Sequence, residues 1–193
     1  MNVNSIKKLS LILGSAVLLQ GCVAAAVVGG AAATKVVTDP RTVGTQVDDA
    51  TLDARVSSAL SKDAQLKEEG RVSAVSYSGR ILLIGQVPNE NLKGIAANLA
   101  KGAEGVTEVY NEIRIGQPIS VWQQTKDSGI TATIKSKLLV NNQVKTTAVK
   151  TITENGEVFL MGSVTQDQGN ATAEVARNVS GVTKVVKVFK YLD

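Results

Sequence analysis

The chain has 193 residues with 21 basic and 17 acidic side chains, a formal net charge of +4, one cysteine and no histidine. Without histidine the commonest metal ligand and the commonest general base are both missing, so zinc sites, haem sites and hydrolytic triads are not expected. Aromatic residues are only 3% of the chain and the charges nearly balance, which argues against the clustered cations and stacking platforms of a nucleic-acid surface. The sequence offers no phosphate-cradling glycine loop and no nucleophile elbow. Ser5 and Lys8 match S-x-x-K, but they fall in the leader read next. No catalytic residue, metal, cofactor or nucleic-acid partner is therefore expected.

The first element is an export signal over residues 1–21. Lys7 and Lys8 give it a basic start, Leu9 to Leu19 an almost unbroken apolar run, and Gln20 and Gly21 a short polar close. The run is about half of the roughly 20 residues needed to span a bilayer. The other reading, an anchor helix continuing through Ala33, is opposed by the Gly- and Ala-rich composition and by Gln20. Leu19-Gln20-Gly21-Cys22 resembles the lipobox of bacterial lipoproteins. That resemblance implies that the Cys22 thiol takes diacylglycerol and that its freed amine is acylated, giving the two or more chains that stable anchoring requires. Val23 in place of Asp implies transfer to the inner leaflet of the outer membrane. The single cysteine is then used by lipid, leaving no disulfide. Residues 22–45, rich in Ala, Gly and Thr, are expected to form a lipidated flexible tether.

The remainder contains one pattern twice. When 49–113 is set beside 127–189, Leu52, Val56 and Leu60 fall on Ile130, Ile134 and Leu138. Tyr77-Ser78-Gly79-Arg80 falls on Glu154-Asn155-Gly156-Glu157, and Ile81-Leu82-Leu83-Ile84-Gly85 on Val158-Phe159-Leu160-Met161-Gly162. Gly105-Val106-Thr107-Glu108-Val109 falls on Gly181-Val182-Thr183-Lys184-Val185. Two domains are expected, over 46–115 and 124–193, joined by a linker over 116–123. Each reads as helix, strand, strand, helix, strand. The first helix carries apolar residues at i, i+4 and i+8. The hairpin turns on Ser-Gly or Asn-Gly. Gly85 and Gly162 mark a bulge or close backbone approach, and Gly105 and Gly181 are expected to cap the second helix. The third strand is expected over 106–115 and 182–192. A unit of about 70 residues buries only a marginal core alone, so packing one copy on the other would add stability.

The helix, the glycine-ended strands I-L-L-I-G and V-F-L-M-G, and the closing G-V-x-x-V resemble the BON domain. The resemblance implies an α+β fold of two tandem αββαβ domains, helices packed on a small mixed sheet. It also implies a non-enzymatic lipoprotein of the outer membrane that binds anionic phospholipid through the first helix of its second BON domain. Such a protein gathers at division sites and supports outer-membrane integrity. It is linked to the β-barrel assembly machinery and to activation of septal peptidoglycan amidases.

The two copies differ where that implication needs them to. Residues 46–115 carry 8 basic and 10 acidic side chains, net −2, and residues 124–193 carry 9 and 6, net +3. Ser57, Ala59 and Ser61 of the first copy become Lys135, Lys137 and Leu139 of the second, a change toward an interfacial helix on an anionic surface. The candidate phospholipid site is Gly129, Ile130, Thr133, Ile134, Lys135, Lys137, Leu138 and Leu139. For Ile130, Ile134 and Leu138 two readings stand, lipid contact and plain core. The family has a Trp at the position of Gly129. Trp122, seven residues earlier, either replaces it as an anchor or packs in the seam between domains. The competing reading of the whole chain is an interaction scaffold, a monomer docking on envelope machinery, whose only lipid contact is Cys22.

Overall fold

The computed structural model describes residues 42–144 and 146–192. The expected signal peptide, Cys22 and most of the expected tether lie outside the described residues.

The first repeat opens with α1 (Val43–Lys62), capped by the Thr42 hydroxyl, which accepts from Thr45 N. Leu52, Val56 and Leu60 form its buried stripe. Asp63 ends α1 and starts a short helix, α2 (Ala64–Glu69), its carboxylate accepting from Leu66 N. Strands β1 (Arg71–Tyr77) and β2 (Arg80–Val87) pair antiparallel. They turn on Ser78 and Gly79, whose φ values of 50° and 77° are those of the tight turn that matches strand twist. Helix α3 (Glu90–Lys101) follows, capped by Asn89. The third strand returns parallel to β2 as two pieces, β3 (Glu108–Asn111) and β4 (Arg114–Ile115). The second repeat runs α4 (Val121–Leu139), β5 (Val149–Glu154), β6 (Glu157–Val164), α5 (Gln166–Arg177) and an unbroken β7 (Lys184–Tyr191), with the same pairing pattern.

Three boundaries differ from the sequence reading. Ser120 caps α4, so the helix takes in Val121, Trp122 and Gln123 of the expected linker. Likewise α1 begins at Val43, inside the expected tether. Gly105 and Gly181 do not cap helices: α3 stops at Lys101 with Gly102 as its cap, and α5 stops at Arg177 with Asn178. Their left-handed φ values, 93° and 90°, reverse the chain one turn later, on entry to the last strand.

Each sheet is covered on both faces, which is why β2 is buried at all eight positions. Ile81, Leu83 and Val87 meet α1 and α3, as Val158, Leu160 and Val164 meet α4 and α5. The opposite faces meet each other: Tyr77, Leu82 and Ile84 of the first repeat join Phe159, Met161 and Val188 of the second in one core. The four-residue apolar runs follow from this arrangement, because a strand covered on both sides loses the usual alternation.

Polar contacts fix the registry of this sandwich. The Tyr77 hydroxyl donates to Ala148 O at 3.1 Å and accepts from Ser163 N at 3.3 Å. Glu154 accepts from Arg71 and, at 2.8 Å, from the Gln86 amide. Arg114 clamps Glu157 with two nitrogens. The Arg114 bond, outweighing the cost of burial, holds the Glu157 carboxyl below the usual carboxylate range. A depressed folded pKa adds stability above the unfolded value of about 4.3 and loses it as pH falls through the folded one. The melting temperature should therefore drop below about pH 4, and Glu157→Gln should flatten that acid limb. An unchanged limb in the variant would refute the assignment.

Candidate functional site

Helix α4 is 19 residues long, about 28 Å at 1.5 Å per residue. One side is core: Ile130, Ile134 and Leu138 are buried, Ile134 completely. Of the two readings left open for these three residues, their burial is that of core, holding the helix against the sheet. Asp127, also buried, accepts from Asn155 N at 2.7 Å and Gly156 N at 2.9 Å. Asp49 does the same in the first repeat, accepting from Ser78 N and Gly79 N. In both copies an aspartate on the first helix thus pins the hairpin turn, a role not visible in the sequence beyond the two aspartates aligning.

The other side of α4 faces outward. Trp122 and Gly129 are seven residues apart, two helical turns, and so share this side. Trp122 is 69% exposed, which rules out its packing in the seam between domains. Lys126 Nζ lies 5.7 Å from the centre of the indole ring. Val121 stands beside Trp122 at the start of the helix, and Leu139 and Val140 stand at its end, all three at least 70% exposed. Between these apolar ends lie Thr125, Ser128, Gly129, Ala132, Thr133 and Ser136, all exposed.

Three of those hydroxyls are already satisfied by the helix itself. Thr125 donates to Val121 O at 3.0 Å, Ser128 to Gln124 O at 2.9 Å and Thr133 to Gly129 O at 2.9 Å. Removing this face from water therefore leaves few stranded donors, which lowers its desolvation cost. Lys126, Lys135 and Lys137 are exposed along it, and the helix's one acid, Asp127, is buried.

Beside α4 a groove of about 590 Å³ is lined by Gln123, Lys126, Gly129, Thr133, Asn155 and Thr183, among others. A side-chain carbon at Gly129 would meet nothing within 4 Å. The matching groove of the first repeat, about 380 Å³, carries Asp48, Arg55 and Glu104, and the Arg55 guanidinium reaches across it to Glu104 O. The second groove is open and basic where the first is bridged and mixed in charge. Lys126, Val121 and Val140 were missed as site residues. The signal that could have found them is their spacing from Trp122 and Leu139 on one helix. Among the described residues no group of His, Cys, Asp or Glu is arranged to hold a metal.

The family model for the BON domain matches residues 48–117 and again 126–193. The chain belongs to the BON-domain family. Over the full length of both chains it is 60% identical to the outer membrane lipoprotein DolP of Haemophilus influenzae. It is 61% identical over 155 residues, 80% of each chain, to a 21 kDa hemolysin of Actinobacillus pleuropneumoniae. To the osmotically-inducible protein Y of Escherichia coli it is 32% identical over 146 residues, 74% of this chain and 72% of that one. The protein is a lipid-anchored lipoprotein at the periplasmic face of the outer membrane. Among the described residues no helix is long and apolar enough to cross a membrane.

Proposed function

We propose that this lipoprotein, anchored through acylated Cys22, binds anionic phospholipid with the outward side of α4. Binding there would direct it to division sites and support outer-membrane integrity without catalysis. The observation that carries the reading is the make-up of that side: apolar ends at Val121–Trp122 and Leu139–Val140, self-satisfied hydroxyls between them, and three lysines with no exposed acid. A helix so built lies in the interface with its apolar groups below headgroup level and its lysines among the phosphates. Trp122 supplies the aromatic anchor that Gly129 lacks, two turns earlier on the same side. Of the site residues expected from the sequence, Gly129, Thr133, Lys135, Lys137 and Leu139 are surface contacts, and Ile130, Ile134 and Leu138 support them from below.

The test is sedimentation of an unlipidated body, residues 42–193, with vesicles containing phosphatidylglycerol. Trp122→Ala should weaken binding about tenfold, the equivalent of about 1.4 kcal/mol. Lys135→Glu with Lys137→Glu should weaken it further, most at low salt. Failure of the parent body to sediment, together with co-purification of envelope proteins such as the β-barrel assembly machinery or amidase regulators, would replace this reading with a scaffold tethered only by Cys22.

A further inference from the structure

The sandwich has two ends related by the repeat, and they are not charged alike. At one end Glu157, the first residue of β6, meets Arg114 of β4 in a two-nitrogen ion pair, with Lys184 at 3.9 Å. The equivalent end of the first repeat has Arg80, the first residue of β2, in place of the glutamate. The equivalent of Arg114 is Lys190 of β7: Arg114 is the register partner of Gln86 in β2, and Lys190 that of Ser163 in β6. Two cations thus occupy the place that an ion pair fills at the other end. Among the described residues neither has a carboxylate within salt-bridge distance.

Arg80 is 6% exposed. Its terminal nitrogens reach the carbonyl oxygens of Val188 and Gly162, each at 3.3 Å. The guanidinium, its carbon 5.8 Å from the centre of the Tyr77 ring, also interacts with the Tyr110 hydroxyl, and its Nε reaches no partner. A guanidinium is always charged, and burying that charge without an opposite one costs several kcal/mol. Its register partner on β3, Glu108, accepts from the Tyr110 hydroxyl at 2.8 Å and keeps its charge, but lies beyond salt-bridge distance of Arg80. Arg80 also stands at the edge of a cleft of about 830 Å³ between the two repeats, which Ser78, Thr107, Glu108, Tyr110, Ser163 and Lys190 help to line. Hydroxyls, an ammonium, a guanidinium and one carboxylate, that of Glu108, line a space large enough for a small molecule, and two cations against one acid leave it net positive. A domain clamp on Val188 and Gly162 would explain the two carbonyl bonds. It would not explain a second cation opposite, or the idle Nε.

We infer that the cleft between Arg80 and Lys190 is a binding site for a small oxyanion, a phosphate or carboxylate group, which completes at this end the ion pair present at the other. The guanidinium fork meets two oxygens, Lys190 contributes a point charge, and the surrounding hydroxyls donate to the rest. The inference does not depend on lipid binding by α4, because no residue is shared between the two sites.

The test follows the Arg80 Nε–H resonance of the protein, extracted in a non-ionic detergent, as sodium phosphate is added at constant ionic strength. A saturable shift is expected, weakened at least fivefold by Lys190→Gln and unchanged by Lys126→Gln. Arg80→Lys should abolish protection by phosphate against thermal unfolding. Should that variant fail to fold, exposed Lys190 decides the matter. A parallel titration with phosphatidylglycerol vesicles identifies the source: a shift with phosphate alone assigns a free anion, and a shift with both admits a headgroup. A linear, non-saturating response to both phosphate and acetate, or one indifferent to Lys190→Gln, would overturn the inference.

Discussion

Gly85→Val is expected to lower the unfolding temperature by about 10 °C or more. At Gly85 φ is 125°, a region closed to side chains, and an added Cβ would stand 1.9 Å from the Arg71 carbonyl oxygen of the paired strand. Backbone strain and overpacking contribute about 1–3 kcal/mol each, and for a body of this size each kcal/mol shifts melting by about 2–4 °C. The clash is with backbone inside β1, so no side-chain rotation relieves it. Gly94→Ala is the control. It lies in the exposed interior of α3, where a Cβ meets nothing within 4 Å, and the change should stabilise by up to about 1 kcal/mol. Differential scanning calorimetry checks both. A Gly85→Val protein melting within a few degrees of the parent would show that β1 can move away from β2.

Phe159→Ala is expected to cost about 3–5 kcal/mol and to separate the behaviour of the two repeats. Phe159 is 1% exposed, in the core formed where the sheets face each other. It does not belong to either helix-covered core. Removing it leaves those cores intact while weakening the bond between them, so hydrogen exchange should report two opening units where the parent reports one. Leu160→Ala, one residue on and pointing to the helices, should instead weaken the second repeat alone. Equal exchange patterns in the two variants would contradict this division of the strand. Combined with Leu82→Ala, Phe159→Ala should be less than additive, because the two side chains lie in one cluster.

The repeat and its elements were legible because they rest on local chemistry. Ser78-Gly79 and Asn155-Gly156 demand left-handed turns, and Leu52-Val56-Leu60 and Ile130-Ile134-Leu138 stripe their helices at four-residue intervals. What sequence could not show is which face of each sheet looks where. Leu82 and Phe159 read like their neighbours Leu83 and Leu160, since both faces are apolar, and only the assembled sandwich separates them. The split of the third strand at Glu112 and Ile113 was also invisible, as Ile113 is a core residue in both readings. Of the candidate site, Lys135, Lys137 and Leu139 were found by comparing copies. Ile130, Ile134 and Leu138 could not be resolved there, because a core stripe and a lipid-facing stripe have the same period. The side on which Trp122 lies became clear only once α4 was seen to begin at Val121, with the indole a whole number of turns from Gly129.

The cross-sheet contacts also dictate which surfaces recognise one another. The first repeat brings Arg71, Arg80 and Arg114 to the shared face, and the second brings Glu154 and Glu157. Two first repeats placed face to face would set Arg114 against Arg80, a penalty that disfavours that like pair. Two second repeats would instead bring Glu157 to Lys190, so the discrimination against self-pairing lies in the first repeat. Specificity between the halves thus rests on Arg71 and Arg114, which pair with Glu154 and Glu157 of the second repeat.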